Sequence, residues 1–573
     1  MDPVIVAGAG PVGLTLALAL AHLEVPVILL DESTGGEESR LAQTVVLRPD
    51  TAGLLERLGC RVTARTRPWT GWRTMRRRQL VRQVPLIPGS LFGGERGAVG
   101  WDGGLTEAIG SPDGDGPEDA SAAAPTPSPL HLPQHELSRA LRGSLAAIGD
   151  EDLVRIISGT RIDDLEQDDH GVGVRTRGSQ ATWWRGSYLV GCDGPRSTVR
   201  KLLGVRFPGR TAVERHAVAA LRAELPWPGE AVLHRSPPWR SIDAEVTARP
   251  LPRGLWRVDW LLPPGRDLVT PDALMVRVRD TLTGWCGDSE PPYELLDTGV
   301  HTVHHRLALR WRVGRAFLAG DAAHLLGALG TQGLEEGLRD VDNLAWKLSL
   351  AWHHGASEAL LDSYQAERRG AVSARLRAAD QALPLVRAAG GWSAVRRTVR
   401  PGGARGHDAL LTDGHLGQGP LGAPPVYDRS PLAPVTPPDG SVTVGTAPGA
   451  PVADVPVTAP DGSVVRLRER LGRELLVVLI APGTGVWDRR HWMRAGLMPR
   501  LAAAVAALPL RTELLVAEAY PGAPAHTVLL VRPDGHLAAA LSGVRPGALY
   551  ACADAARGGN TARGVPAEAS ARQ

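Results

Sequence analysis

Four apolar residues, Val4-Ile5-Val6-Ala7, lead into a group of glycines. A longer apolar stretch follows over 14–23, and a second four-residue apolar run over 27–30. Short apolar runs bounded by turn residues read as buried strands and the longer stretch as a helix, so the chain opens on a strand–helix–strand unit. Helical runs are expected near 51–58 and over 130–148. Residues 153–190 alternate apolar and polar positions, as hairpins do. Strand-like pieces recur over 205–300. In 254–262, Trp256 and Trp260 fall on one face, where core packing is favoured over stacking on a ligand. A short strand at 315–320 precedes a glycine-rich turn. From Gly333 past Trp346, residues Leu334, Leu338, Val341, Leu344 and Leu348 recur at helical spacing, which marks a core stripe.

Residues 401–437 are rich in Gly and Pro and read as a linker. The remainder has its own pattern: strand 475–481, helix 498–507, strand 513–519 and hairpin 527–541, punctuated by the turns Pro460-Asp461-Gly462 and Pro533-Asp534-Gly535. It is expected to be a separate small α/β domain. Residues 103–129, rich in Gly, Asp, Ala, Ser and Pro, are expected to form a poorly ordered insertion or mobile loop. Arg76-Arg77-Arg78 is expected to be a solvated face.

A length of 573 residues suggests three or four domain-sized units, and 43% hydrophobic with 22% charged residues is a globular composition. The net charge of +3 gives no case for a nucleic-acid or membrane partner. Arginine carries nearly all the positive charge; the only lysines are Lys201 and Lys347. Cys60, Cys192, Cys286 and Cys552 lie far apart with no C-x-x-C, which argues against a zinc knuckle, a redox dithiol or a disulfide scaffold. With no basic leader and no spanning apolar segment read at the N-terminus, a cytoplasmic location is expected. His301, His304 and His305 have no carboxylate or thiol beside them at ligand spacing, so no metal is expected there.

Chemistry concentrates at three turns. Gly8-Ala9-Gly10-Pro11-Val12-Gly13 fits G-x-G-x-x-G, and Asp31 closes its unit at the end of the second strand. Gly8 permits a tight turn, Gly10 lets backbone approach a pyrophosphate, Gly13 lets helix and strand pack closely, and Asp31 can bond a ribose hydroxyl. The second turn, Cys192-Asp193-Gly194, follows the run Tyr188-Leu189-Val190-Gly191 and precedes a helix. The third, Gly320-Asp321, ends the strand at 315–320, where a carboxylate can accept bonds from a sugar-like chain. Taken singly the last two are ordinary strand–turn signals; in this order and spacing the set is specific.

The set resembles the flavoprotein hydroxylases of the para-hydroxybenzoate hydroxylase fold, in particular the branch acting on phenols and aromatic polyketides. The resemblance implies an α/β chain: a Rossmann-like FAD-binding domain (1–72, 131–204 and 301–400) interleaved with a β-sheet substrate domain (73–130 and 205–300). A thioredoxin-like C-terminal domain without redox cysteines (438–573) completes it. It implies that Gly8, Gly10, Pro11, Gly13 and Asp31 hold the ADP part of FAD, that Asp193 supports the pyrophosphate region, and that Gly320 and Asp321 bind the ribityl chain. Gly333 and Leu334 open the loop and helix that pass the flavin pyrimidine. Arg40 and Gln134 match positions that contact FAD in the family. The cycle it implies uses NADPH or NADH to reduce FAD. A C4a-hydroperoxide formed with O2 then oxygenates an aromatic small molecule in a mostly apolar pocket. A Baeyer–Villiger oxygenation of a ketone, or an FAD-binding protein that does not oxygenate, stay open as alternatives, and the tail domain suggests a homodimer. The chain departs from the family pattern at Ala328 (usually proline), Thr331 (usually glycine) and Glu335 (usually asparagine). A carboxylate at 335 facing a reduced flavin would be repelled, so Glu335 is expected to turn away or to serve as a first-turn helix acid.

Overall fold

The computed structural model describes residues 1–34, 39–87, 126–240, 244–263, 269–287, 291–355, 357–387, 403–483 and 496–559. All but the last four residues of the expected 103–129 insertion lie outside the described residues. The opening unit forms as its pattern indicates. Strand Val4–Ala7 pairs in parallel with Val27–Leu30 on one side and with Tyr188–Gly191 on the other. Ala316–Leu318 adds in parallel beyond Tyr188–Gly191, and Val154–Ile157 beyond Val27–Leu30. The register sets Ala7 beside Gly191 and Gly191 beside Leu318. The three turn motifs, each more than a hundred residues from the next, therefore leave one sheet at the same carboxyl edge, where open parallel sheets bind ligands. Helices Pro11–His22 and Gly333–His354 pack on each other against this sheet.

The second sheet has nine strands, in the order His324–Leu325, Tyr293–Leu307, Gly209–Ala223, Leu255–Leu261, Glu245–Pro250, Glu230–Arg235, Gly71–Arg76, Gln79–Ile87, Thr126–Pro127. Successive side chains alternate between its faces. One face is apolar: Ala217, Ala219, Leu221, Val246, Ala248, Trp256, Val258 and Trp260 pack on helix Pro271–Trp285. Trp256 Nε1 donates to the Ala223 carbonyl at 3.1 Å and Trp260 Nε1 to Thr281 Oγ1 at 2.9 Å, so both tryptophans are satisfied core residues. Strand Tyr293–Leu307 continues past the domain boundary expected at 301, and Gly71–Arg76 begins before the one expected at 73.

The C-terminal domain is a six-stranded mixed sheet. Its central strand Leu475–Ile480 is parallel to Thr512–Ala517 and antiparallel to Thr527–Val531. Helices Met498–Ala506 and Pro546–Ala556 cover one face.

The stretch 401–437 corrects the linker expectation. It carries helix Gly403–Leu416 and a turn of helix at Gly419–Gly422, with Leu411, Leu416 and Leu421 buried. Asp408 accepts from Arg76 Nη2 and Arg235 Nη1, each at 2.8 Å, so Arg76 is paired rather than merely solvated. Thr412 and Thr74 hydroxyls meet at 2.9 Å, and the His415 ring stacks on Trp72 at 4.9 Å. Its glycines, poor helix formers, disguise the helix in the sequence. Gly414 is there for space: a Cβ at that position would lie 2.3 Å from the Leu329 carbonyl oxygen.

Candidate functional site

A cleft of about 950 Å³ lies between the carboxyl edge of the parallel sheet and the second face of the nine-stranded sheet. The glycine turn forms its near end. Gly8 has φ +99°, and a Cβ there would sit 2.6 Å from the Cys192 carbonyl oxygen. A Cβ on Gly13 would sit 1.9 Å from the Gly8 oxygen. Gly10 differs: nothing lies within 4 Å of its virtual Cβ, and with Pro11 it lines the cleft at the amino end of helix Pro11–His22. Helix N-termini present unpaired N–H groups suited to an anion.

The Gly320-Asp321 turn stands beside it. Gly320 has φ +59°, and a Cβ there would crowd Val12 at 3.1 Å. The Asp321 carboxylate opens into the cleft with no hydrogen-bond partner among the described residues. Desolvation by the enclosing walls raises its pKa, with His324 opposing. An acceptor in that position fits a polyhydroxylated chain. Gly333 and Leu334, at the start of helix Gly333–His354, line the same cleft, as do Arg40 and Gln134. Gln134 Oε1 accepts from Gln43 Nε2 at 3.1 Å.

Two expected ligand contacts are placed differently. Asp193 does not face the cleft. Its carboxylate accepts from the Ser197 hydroxyl at 2.5 Å and from the Thr198 and Val199 N–H groups at 2.6 and 3.0 Å. It thereby braces the start of helix Thr198–Leu202, while Cys192, Gly194 and Pro195 reach the cleft. A short acid just before a helix competes well for its free N–H groups, and the sequence offers no sign of which use wins. Asp31 accepts from the Ala9 N–H and, at 2.7 Å, from the Ser33 N–H. It ties the glycine turn to the end of the second strand and does not itself line the cleft.

The far wall corrects the expectation of a mostly apolar pocket. The cleft-facing positions of the second sheet include Glu214 and His216, Glu245, Thr247 and Arg249, Arg257 and Asp259, and His301, joined by Val218 and Val303. Arg387, at the end of helix Gly370–Arg387, donates to Glu214 at 2.6 Å and to both Glu245 oxygens at 2.6 and 2.9 Å. Burial alone would push the Glu214 carboxyl up, but Arg387 and His216 outweigh it and hold it at about 2. Asp259 is shared by Arg249 at 2.6 Å and Arg257 at 2.7 Å, and both arginines keep it well below the usual carboxylate range. Two guanidinium groups thus share one carboxylate. Arg249 is nearly buried, and its Nε has no partner among the described residues. His301, opposite His216 across the strand pair, is pushed down to about 4 by burial and then by Arg257 and His216. It is therefore neutral at pH 7. These residues follow the strand alternation (Glu-x-His, Glu-x-Thr-x-Arg, Arg-x-Asp), in the last case on the face opposite Trp256 and Trp260.

His304 and His305 have separate duties: His304 Nδ1 accepts from the Ala212 N–H at 3.2 Å, and His305 Nδ1 lies 2.9 Å from Asp380. Among the described residues no group of three His, Cys, Asp or Glu side chains could hold a metal, and no helix is long and apolar enough to cross a membrane.

Glu335 does turn away from the cleft. Fully buried, it accepts from the Arg48 N–H at 2.6 Å and Thr51 Oγ1 at 2.8 Å, and pairs with the Arg48 guanidinium at 2.7 Å. Where the usual proline is missing, Ala328–Gly330 forms a 3-10 turn with Leu329 in the left-handed region at φ +56°. Glu214 accepts the Leu329 N–H at 3.3 Å, and Thr331 Oγ1 closes the turn on the Ala328 carbonyl at 2.8 Å.

The FAD binding domain family model matches residues 1–379. The chain belongs to that family. It is 32% identical over 416 residues to the rifampicin monooxygenase of Streptomyces venezuelae, covering 70% of this chain and 75% of that protein. It is 34% identical over 222 residues to the 3-(3-hydroxy-phenyl)propionate/3-hydroxycinnamic acid hydroxylase of Paraburkholderia xenovorans; that match spans 38% of this chain and only 34% of the relative. Among solved structures, the flavin-dependent monooxygenase PieE in complex with FAD and substrate superposes with a TM-score of 0.69 at 22% identity, over 97% of this chain and 98% of that one. The anhydrotetracycline hydroxylase OxyS of Streptomyces rimosus superposes with a TM-score of 0.61 at 25% identity, over 97% and 99%. The fold is therefore that of FAD-dependent monooxygenases through nearly the whole chain, including the C-terminal domain.

Proposed function

We propose that the protein is an FAD-dependent monooxygenase that uses NADPH or NADH and O2 to place one oxygen atom on a phenolic or aromatic polyketide substrate. One observation carries this reading: a single cleft of about 950 Å³ joins the glycine-and-aspartate cradle to a separate polar wall. The relatives named as monooxygenases and hydroxylases support it. Gly10, Pro11, Asp321, Gly333, Leu334, Arg40 and Gln134 would hold FAD, which supplies the oxygen chemistry when bound. The chain's own residues bind, orient and handle protons. Arg249 and Arg257 favour a substrate with an acidic or ionised oxygen, and neutral His301 can accept a hydrogen bond from a phenol hydroxyl. The C-terminal domain is read as thioredoxin-like with no redox role, since its one cysteine, Cys552, is buried and pushed up to about 11.

The test is purification and ¹⁸O₂ turnover. The protein should carry FAD, oxidise NADPH or NADH faster with phenols from a panel, and give a product bearing one labelled oxygen. Asp321→Ala should retain the fold and lose most of its flavin. Reductant consumed with release of hydrogen peroxide for every phenol would sink the monooxygenase reading. Full flavin occupancy in Asp321→Ala would remove that residue from the site.

A further inference from the structure

We infer that the π-helical turn Gln365–Arg369 is a positioning element through which the C-terminal domain sets the loop that carries Asp321. The turn interrupts the run from Glu358–Tyr364 into Gly370–Arg387. Single π turns inside α-helices are rare and concentrate at functional sites. Here the turn buries two successive side chains of opposite charge, Glu367 at 4% exposure and Arg368 at 0%.

Arg368 faces the flavin side. Its Nε donates to Asp340 Oδ1 at 2.9 Å, and its Nη2 to Glu336 Oε2 at 2.8 Å and to the Glu336 carbonyl at 3.1 Å. The other Asp340 oxygen accepts the Gly320 N–H at 2.9 Å and meets His324 Nε2 at 2.8 Å. Asp340 thus grips the loop on both sides of Asp321, from a position with no solvent exposure. Glu367 faces the other way. Arg532 donates to its two oxygens at 2.6 and 2.8 Å, Lys347 at 2.7 Å and Asn343 at 2.8 Å. Arg532 also pairs with Asp534 at 2.6 Å; Asp534 lies in the Pro533-Asp534-Gly535 turn of the C-terminal domain and Arg532 immediately precedes it. Tyr427 bridges the halves: its hydroxyl lies 3.5 Å from Arg368 Nη1, its ring 4.3 Å from the His536 ring, and the Arg532 guanidinium sits 5.5 Å from its centroid.

The path from the C-terminal turn to Gly320 is therefore continuous and made of buried charges. Buried ion pairs contribute little net stability against apolar replacements, but a satisfied network admits one geometry. Lys347, one of two lysines among 64 basic residues, sits inside it with no solvent exposure. The C-terminal domain, none of whose described residues lines the cleft, acts on the flavin loop through this path.

The inference rests on FAD lying against Asp321, as proposed above. Its test is FAD affinity measured on the full chain, by titrating apoprotein and following flavin fluorescence, with the visible flavin spectrum and apoprotein melting recorded beside it. Arg532→Met should weaken FAD binding about tenfold, the scale of network coupling between sites, and alter the flavin spectrum; Arg532→Lys should recover part of the loss. Asp340→Asn should weaken binding at least as much, and the double variant should lose less than the two single losses combined. Glu367→Gln, nearly isosteric, decides by the same comparison if Arg532→Met does not fold. An Arg532→Met or Glu367→Gln protein that melts earlier yet binds FAD with wild-type affinity and spectrum would overturn the coupling. Wild-type protein that never binds FAD would instead overturn the functional proposal beneath it.

Discussion

Gly10→Val should yield a folded, soluble, colourless protein. No atom lies within 4 Å of the virtual Cβ at Gly10, and its φ of −72° and ψ of 174° are open to any residue. The fold has no need of glycine at that position. The cleft has, because the new side chain would stand where backbone must approach a pyrophosphate. Apoprotein melting should stay within about 2 °C of wild type, as for substitutions that touch no packed atom, while flavin content falls to background even after incubation with excess FAD. Gly13→Ala is the control of opposite kind. Its methyl would lie 1.9 Å from the Gly8 oxygen, a backbone atom that cannot move without breaking the helix–strand contact, so this variant should be insoluble or molten. A yellow Gly10→Val protein would show that no ligand approaches at that turn.

Arg387→Met should cost on the order of 10 °C in melting temperature, because removing one partner of a buried ion group leaves charge uncompensated, at about 3–5 kcal/mol. Glu214 would lose its main counter-charge, and Glu245 would keep only Arg235 at 3.5 Å. The dependence on pH has a definite sign. In the wild type the folded pKa of Glu214, about 2, is below its unfolded value. Its contribution is therefore complete above about pH 4.5 and is lost as pH falls toward 2. In the variant the buried carboxyls have pKa values above their unfolded ones, so the deficit grows as pH rises and shrinks on acidification. Melting curves at pH 5 and pH 8 should show the gap to wild type narrowing at pH 5. An equal gap at both would mean that Arg387 acts by packing alone.

The parallel sheet and its turns were legible because each is specified locally. Val4 to Ala7, the glycine turn and the helix after it follow from residue type and period, and Asp321 is marked by its strand. The partners of Asp193 and Asp31 were not legible. A carboxylate beside free N–H groups can serve ligand or backbone equally, and only the register of distant strands decides. Helix Gly403–Leu416 was hidden partly because Gly414 serves a contact with Leu329 and the adjoining turn, a tertiary need that composition misreports as looseness. The polar wall was not legible for a different reason: Trp256 and Trp260 mark the core face of their strand, but alternation alone does not tell whether Arg257 and Asp259 on the opposite face meet solvent or a cleft.

That two-sided strand has an evolutionary consequence. Residues facing the cleft and residues packing on helix Pro271–Trp285 interleave one by one, so selection can rewrite the chemistry of one side while the tryptophan side keeps the architecture intact. Because changing one member of Arg249–Asp259 or Arg387–Glu245 alone strands a buried charge, such rewriting has to come as paired replacements.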